Sequence, residues 1–565
     1  MTRPDILALA DELHAARLAA DPFGASSLGL PGHDADVPDV SADADRANRD
    51  LYRGFLARAE AVDAADLPAA DAVTLAAIVG TAQAGIAEAD AASIEYTVSG
   101  SFGAGPAELI ALASRTKLPS AQAADDWLSR VRAFPGYVDA CLVRLRAGAA
   151  EGRTPVRALV ETAVDQLDRL LEAEGPSPFV QPFVGHEDDI RLSDVKGRVL
   201  AQVHLALGPA LTRYRDALRD EMLPVARDDD RVGLGSVPGG AVSYALAVRV
   251  HTTLPLSAQQ VHEQGLADVA ADHERMVEIG ARVFGSGGGA GVHDIAGVIA
   301  ALRAAGAEPD VAAAMVRARA VVRRAERAAG EWFTPPAPPP CAVEPMSPLL
   351  ARAGMAPHYS PPSQDGARVG TYWFNADRPG LGTGPELESV TFHETVPGHH
   401  TQLVRMLGLN GVPDLQRQTV VTAHAEGWGL YAEVLAEEMG LYTDETAVLG
   451  MLTTDVFRAA RLVVDTGMHA LGWSRQHALD WFAAAVPLPV DALSAEIDRY
   501  IAYPGQALAY KTGQREILRL RADARARLGD RFDIRGFHSA VLDHGSIPLP
   551  ALDRAVQEWI GATAA

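Results

Sequence analysis

Cysteine is nearly missing from these 565 residues: Cys141 and Cys341 are too few for a disulfide scaffold and fit a reducing compartment. Positive charge is also scarce. Fifty Lys and Arg face 73 Asp and Glu, and the resulting net charge of −23 argues against nucleic acid or an anionic membrane as partner. The N-terminal run Met1-Thr2-Arg3-Pro4-Asp5 leads into an amphipathic stretch with Asp11, Glu12 and His14, lacking the apolar core of a signal peptide. No stretch of about 18 uncharged apolar residues follows. These absences make the cytoplasm the expected compartment and leave a soluble body, a homodimer being allowed.

What the chain does have is apolar mass. Hydrophobic residues make up 48% with a mean hydropathy of +0.02, enough for a large core. The length exceeds that at which one core stops growing, so two or more lobes are expected. Residues 1–330 alternate alanine-rich segments of helical period with breaks at Pro and Gly. The expectation is an all-α protein, mainly helical, with a small β-hairpin near the site. An N-terminal helical lobe would cover 1–333 and a catalytic lobe 334–565, able to pack as one body around a cleft. The proline run Thr334 to Pro340 would cross between them in extended form. Beyond it, Met355 to Ser360 and Ala367 to Asn375 flank the turn pair Asp365-Gly366 and read as the hairpin, suited to holding an extended substrate by its edge. The acidic stretch from His33 to Asp45 reads as a solvated loop, and the glycine-rich Gly285 to Gly291 as a helix connection without the Gly-Lys-Ser/Thr ending of a phosphate loop.

The chemistry concentrates in His393-Glu394-Thr395-Val396-Pro397-Gly398-His399-His400. An H-E-x-x-H pattern puts two imidazoles one helical turn apart, with the intervening glutamate free to activate water. Here the spacing is two residues too long. Pro397-Gly398 reads as an insertion that bulges or kinks the helix and returns His399 to the second ligand position. His400 is the rival, although in a regular helix it would lie about 10 Å along the axis from His393, too far for one ion. A third ligand comes from Ala423-His424-Ala425-Glu426-Gly427-Trp428-Gly429. Asp414 would cap this helix and Gly440 stop it, giving about 25 residues, with Gly427 and Gly429 letting the two metal helices approach.

Downstream, Thr443-Asp444-Glu445 caps a long helix on which Arg458, Arg461, Asp465 and His469 share a face. Asp465 would orient Arg461 and His469 by i±4 pairing, making His469 a donor to a developing oxyanion. Further on, Gln506, Tyr510 and Gly513 share a helical face; Tyr510, or second to it Tyr503, is the other oxyanion donor, and Arg461, Lys511 or Arg515 would hold a substrate carboxylate.

The strings HETVPGHH, HAEGWGLYAE, RLVVDTGMH and YPGQALAYKTGQ resemble a bacterial family catalogued as domain of unknown function 885. That family is similar in plan to gluzincin metallopeptidases of the thermostable, Taq-type carboxypeptidase kind, which use H-E-x-G-H followed by a glutamate in H-E-S. The resemblance covers most of the chain beyond about residue 185. It implies a gluzincin-like fold, zinc ligands His393, His399 and Glu426, and Glu394 as base. The inserted Pro397-Gly398 and the missing serine after Glu426 depart from the carboxypeptidase pattern. The expected function is therefore zinc-dependent hydrolysis of short peptides by Zn2+, Glu394, His469, Tyr510 and Arg461. The alternatives are a zinc amidase of a non-peptide substrate and a catalytically silent helical binding protein.

Overall fold

A computed structural model describes every residue except 1–2, 65–66, 100–104, 173–174, 187–188, 286–292, 307–309, 347–355, 363–367 and 376–381. The chain is predominantly helical, 74% helix against 2% strand, as the alternation of apolar segments and Pro/Gly breaks requires. Seven helices carry or support the site: α1 Ala258–Phe284, α2 Leu387–Glu394, α3 His399–Leu407, α4 Thr422–Glu438, α5 Glu445–Leu471, α6 Val490–Ala502 and α7 Ala509–Leu528. The sheet is larger than the expected hairpin. Its strands β1 Ala342–Pro345, β2 His358–Ser360 and β3 Thr371–Phe374 lie in the order β1-β3-β2, with β2 antiparallel to β3 and β1 parallel to it. The turn pair Asp365-Gly366 and the glycine-rich 286–291 fall outside the described residues.

Four apolar clusters of described residues draw on both sides of residue 333. One joins Val73 and the Ala314–Phe333 stretch to Trp428, Tyr431, Ile517 and the C-terminal helix Leu549–Ala564. Another joins Val269, Met276 and Ile279 of α1 to Leu452, Val456 and Ala460 of α5. A fifth lies wholly within 23–222, around Trp127, Phe134 and Phe179. Among the described residues one stretch, Ala69–Glu95, is long and apolar enough to cross a membrane, but 56% of its most apolar window is buried inside the protein, as in a core helix. Sequence reading passes over it because Asp71 and Glu88 interrupt the run.

The long helix α5 is capped as expected, the Asp444 carboxylate accepting from the Ala447 backbone N–H at 2.9 Å. Helix α4 starts later than expected. Asp414 opens only the single turn Asp414–Arg417; Gln416 within it and Val421 beyond it bond to the 544–546 loop, and the helix does not continue. Seventeen residues of α4 remain, packed along α7 so closely that Gly427 and Gly513 touch through their backbones. A Cβ at Gly513 would collide with the backbone of Ala423 and of Gly427.

Gly513→Ala should therefore cost about 1–3 kcal/mol through forced separation of the two helices. Gly330→Ala, whose Cβ would meet open space, should stay within about 0.5 kcal/mol of the wild type. Denaturant unfolding compares the two; equal midpoints would mean that α4 and α7 tolerate a wider spacing.

Candidate metal centre

Pro397 does not bulge the first metal helix; it ends it. Helix α2 stops at Glu394, Thr395 leaves helical geometry at φ −115° and ψ −119°, and α3 begins at His399. A proline has no N–H for the helical ladder, so the chain turns instead, with a cis peptide between Val396 and Pro397. The turn is tied back by Gly398 N–H to the Phe392 carbonyl at 3.0 Å and by His400 N–H to that of Thr395 at 3.1 Å. Trp428 of α4 pins it, its indole N–H donating to the carbonyls of Pro397 (3.0 Å) and Gly398 (3.2 Å).

The turn brings His399 back beside His393, their rings 4.7 Å apart and nearly perpendicular. Both Nε2 atoms face one oxygen of Glu426, Oε2, at 3.3 Å from His393 and 3.6 Å from His399. Two donors each about 2.0–2.1 Å from one tetrahedral ion stand roughly 3.4 Å apart, so this spacing fits a shared divalent metal. These three are the metal-competent group that the described residues assemble, all donor atoms lying within 4.8 Å of one another. His400 points elsewhere: Nε2 meets the Pro339 carbonyl at 2.6 Å and Nδ1 the Tyr359 hydroxyl at 2.8 Å. It therefore ties the proline run to the sheet.

Sequence reasoning missed Glu433. Its Oε1 lies 2.8 Å from His393 Nδ1, and its other oxygen accepts from Ser389 and Thr454, all buried. A carboxylate on Nδ1 keeps the proton there and leaves the Nε2 lone pair for a metal. The signal was legible: Glu426, Gly429 and Glu433 recur along one face of α4, and the His393 ring lies on Gly429 with a carboxylate at either end. A Cβ at Gly429 would stand 2.5 Å from His393 Cε1. Burial alone would lower the His393 pKa, but Glu426 and Glu433 outweigh it and push it up to about 9. Burial would likewise raise Glu426, and the two imidazoles overcome it, holding that carboxyl well below the usual range.

Glu394 sits half-buried at the end of α2 and is not one of the converging donors; its charge reaches His393, Tyr372 and Cys341. Tyr510 lies within reach of the Glu426 charge. Burial first and the Glu426 charge second raise its phenol, so it stays protonated as a donor. Tyr503 instead stacks edge-on with His251 at 5.0 Å and faces the charges of Glu88 and Glu108. His469 is not available as an oxyanion donor. Its Nδ1 accepts from Leu234 N–H at 3.2 Å and its Nε2 meets the Tyr500 carbonyl at 3.1 Å, and burial lowers its pKa to about 4. Asp465 orients neither Arg461 nor His469, since it takes the Tyr244 hydroxyl at 2.5 Å and Gly505 N–H at 3.2 Å. Helix α5 is buried nearly all round, so these polar groups pair with other parts of the chain and not with one another at i±4. Two candidate carboxylate holders are also spent: Lys511 on Asp455 at 2.6 Å and Arg515 on Asp268. His424 serves the fold, its Nδ1 accepting from Ile547 N–H at 3.1 Å.

The model of one family, described as bacterial protein of unknown function (DUF885), matches residues 22–556. The chain belongs to that family. No curated protein matches this DUF885 chain. Among solved structures, a candidate lipoprotein from Colwellia psychrerythraea is 26% identical, superposes with a TM-score of 0.87, and matches over 99% of both chains. A candidate lipoprotein of unknown function from Shewanella oneidensis is 16% identical with a TM-score of 0.72, covering 96% of the DUF885 chain and 98% of its own; that likeness concerns the fold alone.

Metal analysis of the DUF885 chain purified without chelator should give about one divalent ion per chain, lost in His399→Ala and retained in His400→Ala. Loss in the second and not the first would reverse the ligand assignment. Glu433→Gln should keep the fold yet weaken metal affinity by roughly 10–100-fold, the usual cost of removing a carboxylate behind a ligand imidazole. Competition with a chelator of known affinity measures this, and an unchanged constant would make Glu433 a packing residue only.

Proposed function

We propose that this chain is a zinc-dependent peptidase acting on short peptides, with the convergence of His393, His399 and Glu426 beside an uncommitted glutamate as the observation that carries the reading. A site built only for stability has no use for Glu394, which stands next to the ligands without joining them. The donor set of two imidazoles and one carboxylate is the type found in hydrolytic zinc sites, and it leaves a fourth position for water or substrate. The likeness to gluzincin peptidases of the thermostable carboxypeptidase kind belongs to this proposal. It rests on the HE…H and HAE strings, with a broken α2–α3 pair where those enzymes have one helix.

Bound zinc would supply a Lewis acid for the scissile carbonyl and lower the pKa of a water to about 7. His393 and His399 would hold such an ion through their Nε2 atoms, with Glu426 as the third donor, and Glu433 keeps the proton of His393 on Nδ1. Glu394 takes one proton from the attacking water and returns it to the leaving nitrogen as the C–N bond breaks. The Tyr510 hydroxyl, kept protonated by burial, donates a hydrogen bond to the carbonyl oxygen as charge develops there. His469 takes no part in this scheme. The two unpaired thiols, Cys141 and Cys341, fit a reducing compartment such as the cytoplasm.

Glu394→Gln preserves shape but cannot accept a proton, so hydrolysis of a short peptide should fall roughly 10²–10⁴-fold at unchanged zinc content. A panel of dipeptides and blocked tripeptides set against simple amides identifies the substrate used. Wild-type turnover by this variant would remove Glu394 as the base, and loss of its zinc would make Glu394 a ligand or the support of one.

A further inference from the structure

Two arginines share one glutamate beside Tyr510. Arg461 of α5 donates through Nη2 to Glu496 Oε2 at 3.0 Å and through Nε to the Tyr500 hydroxyl at 2.8 Å. Arg499 of α6 takes the same carboxylate through Nε at 3.2 Å and Nη2 at 2.9 Å, and its Nη1 reaches Gln506 Oε1 at 2.6 Å. Two guanidiniums are thus hydrogen-bonded to a single carboxylate in a protein that is otherwise strongly acidic, and the Asp465 carboxyl also lies within the charge reach of Arg499. Arg461 is buried, being 6% exposed.

The Arg461 guanidinium lies between two aromatic rings, 4.3 Å from the centroid of Phe457 and 4.6 Å from that of Tyr510. Its third nitrogen, Nη1, is buried with no hydrogen-bond partner among the described residues. An unpaired buried donor costs a large part of its hydration, and a cation costs more, so such a group is expected to meet an acceptor in the working protein. The surroundings narrow the choice. The Tyr510 ring packs directly on the Arg461 guanidinium, and its phenol, raised by burial, lies within reach of the Glu426 charge as well as of those of Arg461 and Arg499. A planar anion with two oxygens matches the guanidinium fork.

We infer that Arg461, backed by Arg499 and Glu496, binds a carboxylate of the substrate on the Tyr510 side of the metal donors. The inference rests on the peptidase reading and deepens it, making a free carboxylate next to the cleaved bond a condition of good turnover. Two sources share this chemistry: the C-terminus of a peptide and an acidic side chain. Tyr510 then serves both ends, as oxyanion donor through its hydroxyl and as one wall of the carboxylate pocket through its ring.

The test uses the zinc-loaded full chain and three N-acetylated tripeptides: trialanine with a free C-terminus, its C-terminal amide, and an amide ending in glutamate. Wild type should prefer the free trialanine over its amide by roughly 10²-fold, the scale of one charge-assisted hydrogen bond in a dry site. Arg461→Gln should bring that ratio close to one, chiefly through KM, with zinc unchanged, and Arg461→Lys should restore part of it. Recovery with the glutamate amide marks a side-chain carboxylate, and no recovery marks the C-terminus; both support the pocket. Equal wild-type turnover of all three peptides, or a preference that survives Arg461→Gln, overturns it. Where Arg461→Gln does not fold, Arg499→Gln decides, and a preference undiminished in the folded Arg499→Gln protein also overturns the inference. If the wild type cleaves none of them, the peptidase reading fails on its own. Calorimetry with N-acetylalanine then tests the pocket alone: binding that Arg461→Gln removes supports it, and no binding, or equal binding by both proteins, overturns it.

Discussion

One imidazole held between two carboxylates organises the centre of this protein. His393 lies on the bare backbone of Gly429 with Glu426 at one ring nitrogen and Glu433 at the other. Burying two carboxylates around one ring is costly unless every lone pair finds a donor, and the surrounding helices are arranged to provide them. Ser389 of α2 and Thr454 of α5 complete Glu433, and His399 completes Glu426. The contacts of α2, α4 and α5 are thus set by the needs of one side chain, and the Pro397-Gly398 turn exists to bring in a second imidazole that no regular helix could place.

The turn itself depends on Trp428, whose indole N–H is shared by the Pro397 carbonyl and the Gly398 carbonyl, the latter also accepting from Gln402 N–H at 3.1 Å. The tryptophan belongs to the same α4 that carries Glu426 and Glu433, and it packs into the main apolar cluster beside Phe333 and Tyr431. Core packing and donor placement are consequently one problem here. Trp428 cannot be repacked without releasing the loop that carries His399.

The helical class and the candidate donor triad were legible because they rest on local patterns: H-E at a helix end and a glutamate followed by two closely spaced glycines. The identity of the second imidazole was open, since it depends on how a chain leaves a helix at proline, which spacing alone does not tell. Glu433 was readable in principle, two turns beyond Glu426 on the same face. The misreading of His469 and Asp465 has a different origin. A stripe of polar residues on α5 looks like a working face when neighbours are unknown, whereas Tyr244, Gly505, Leu234 and Tyr500 arrive from distant parts of the chain to satisfy it. The parallel strand β1 was missed for the same reason, four residues after a proline run offering no pattern until β3 accepts them.

Helix α5 touches the system twice, at Thr454 behind the His393 imidazole and at Arg461 beside Tyr510. Seven residues of straight helix separate these points, about 10 Å of rise. The helix acts as a rigid calliper: its length fixes the spacing between the support of the imidazole and the Arg461 guanidinium, and no loop within that interval can stretch. A change in that spacing would have to come from sliding α5 as a whole, which would pull Thr454 off Glu433 and unsettle the imidazole at the same moment. Such a protein can alter its surface freely and its gauge hardly at all.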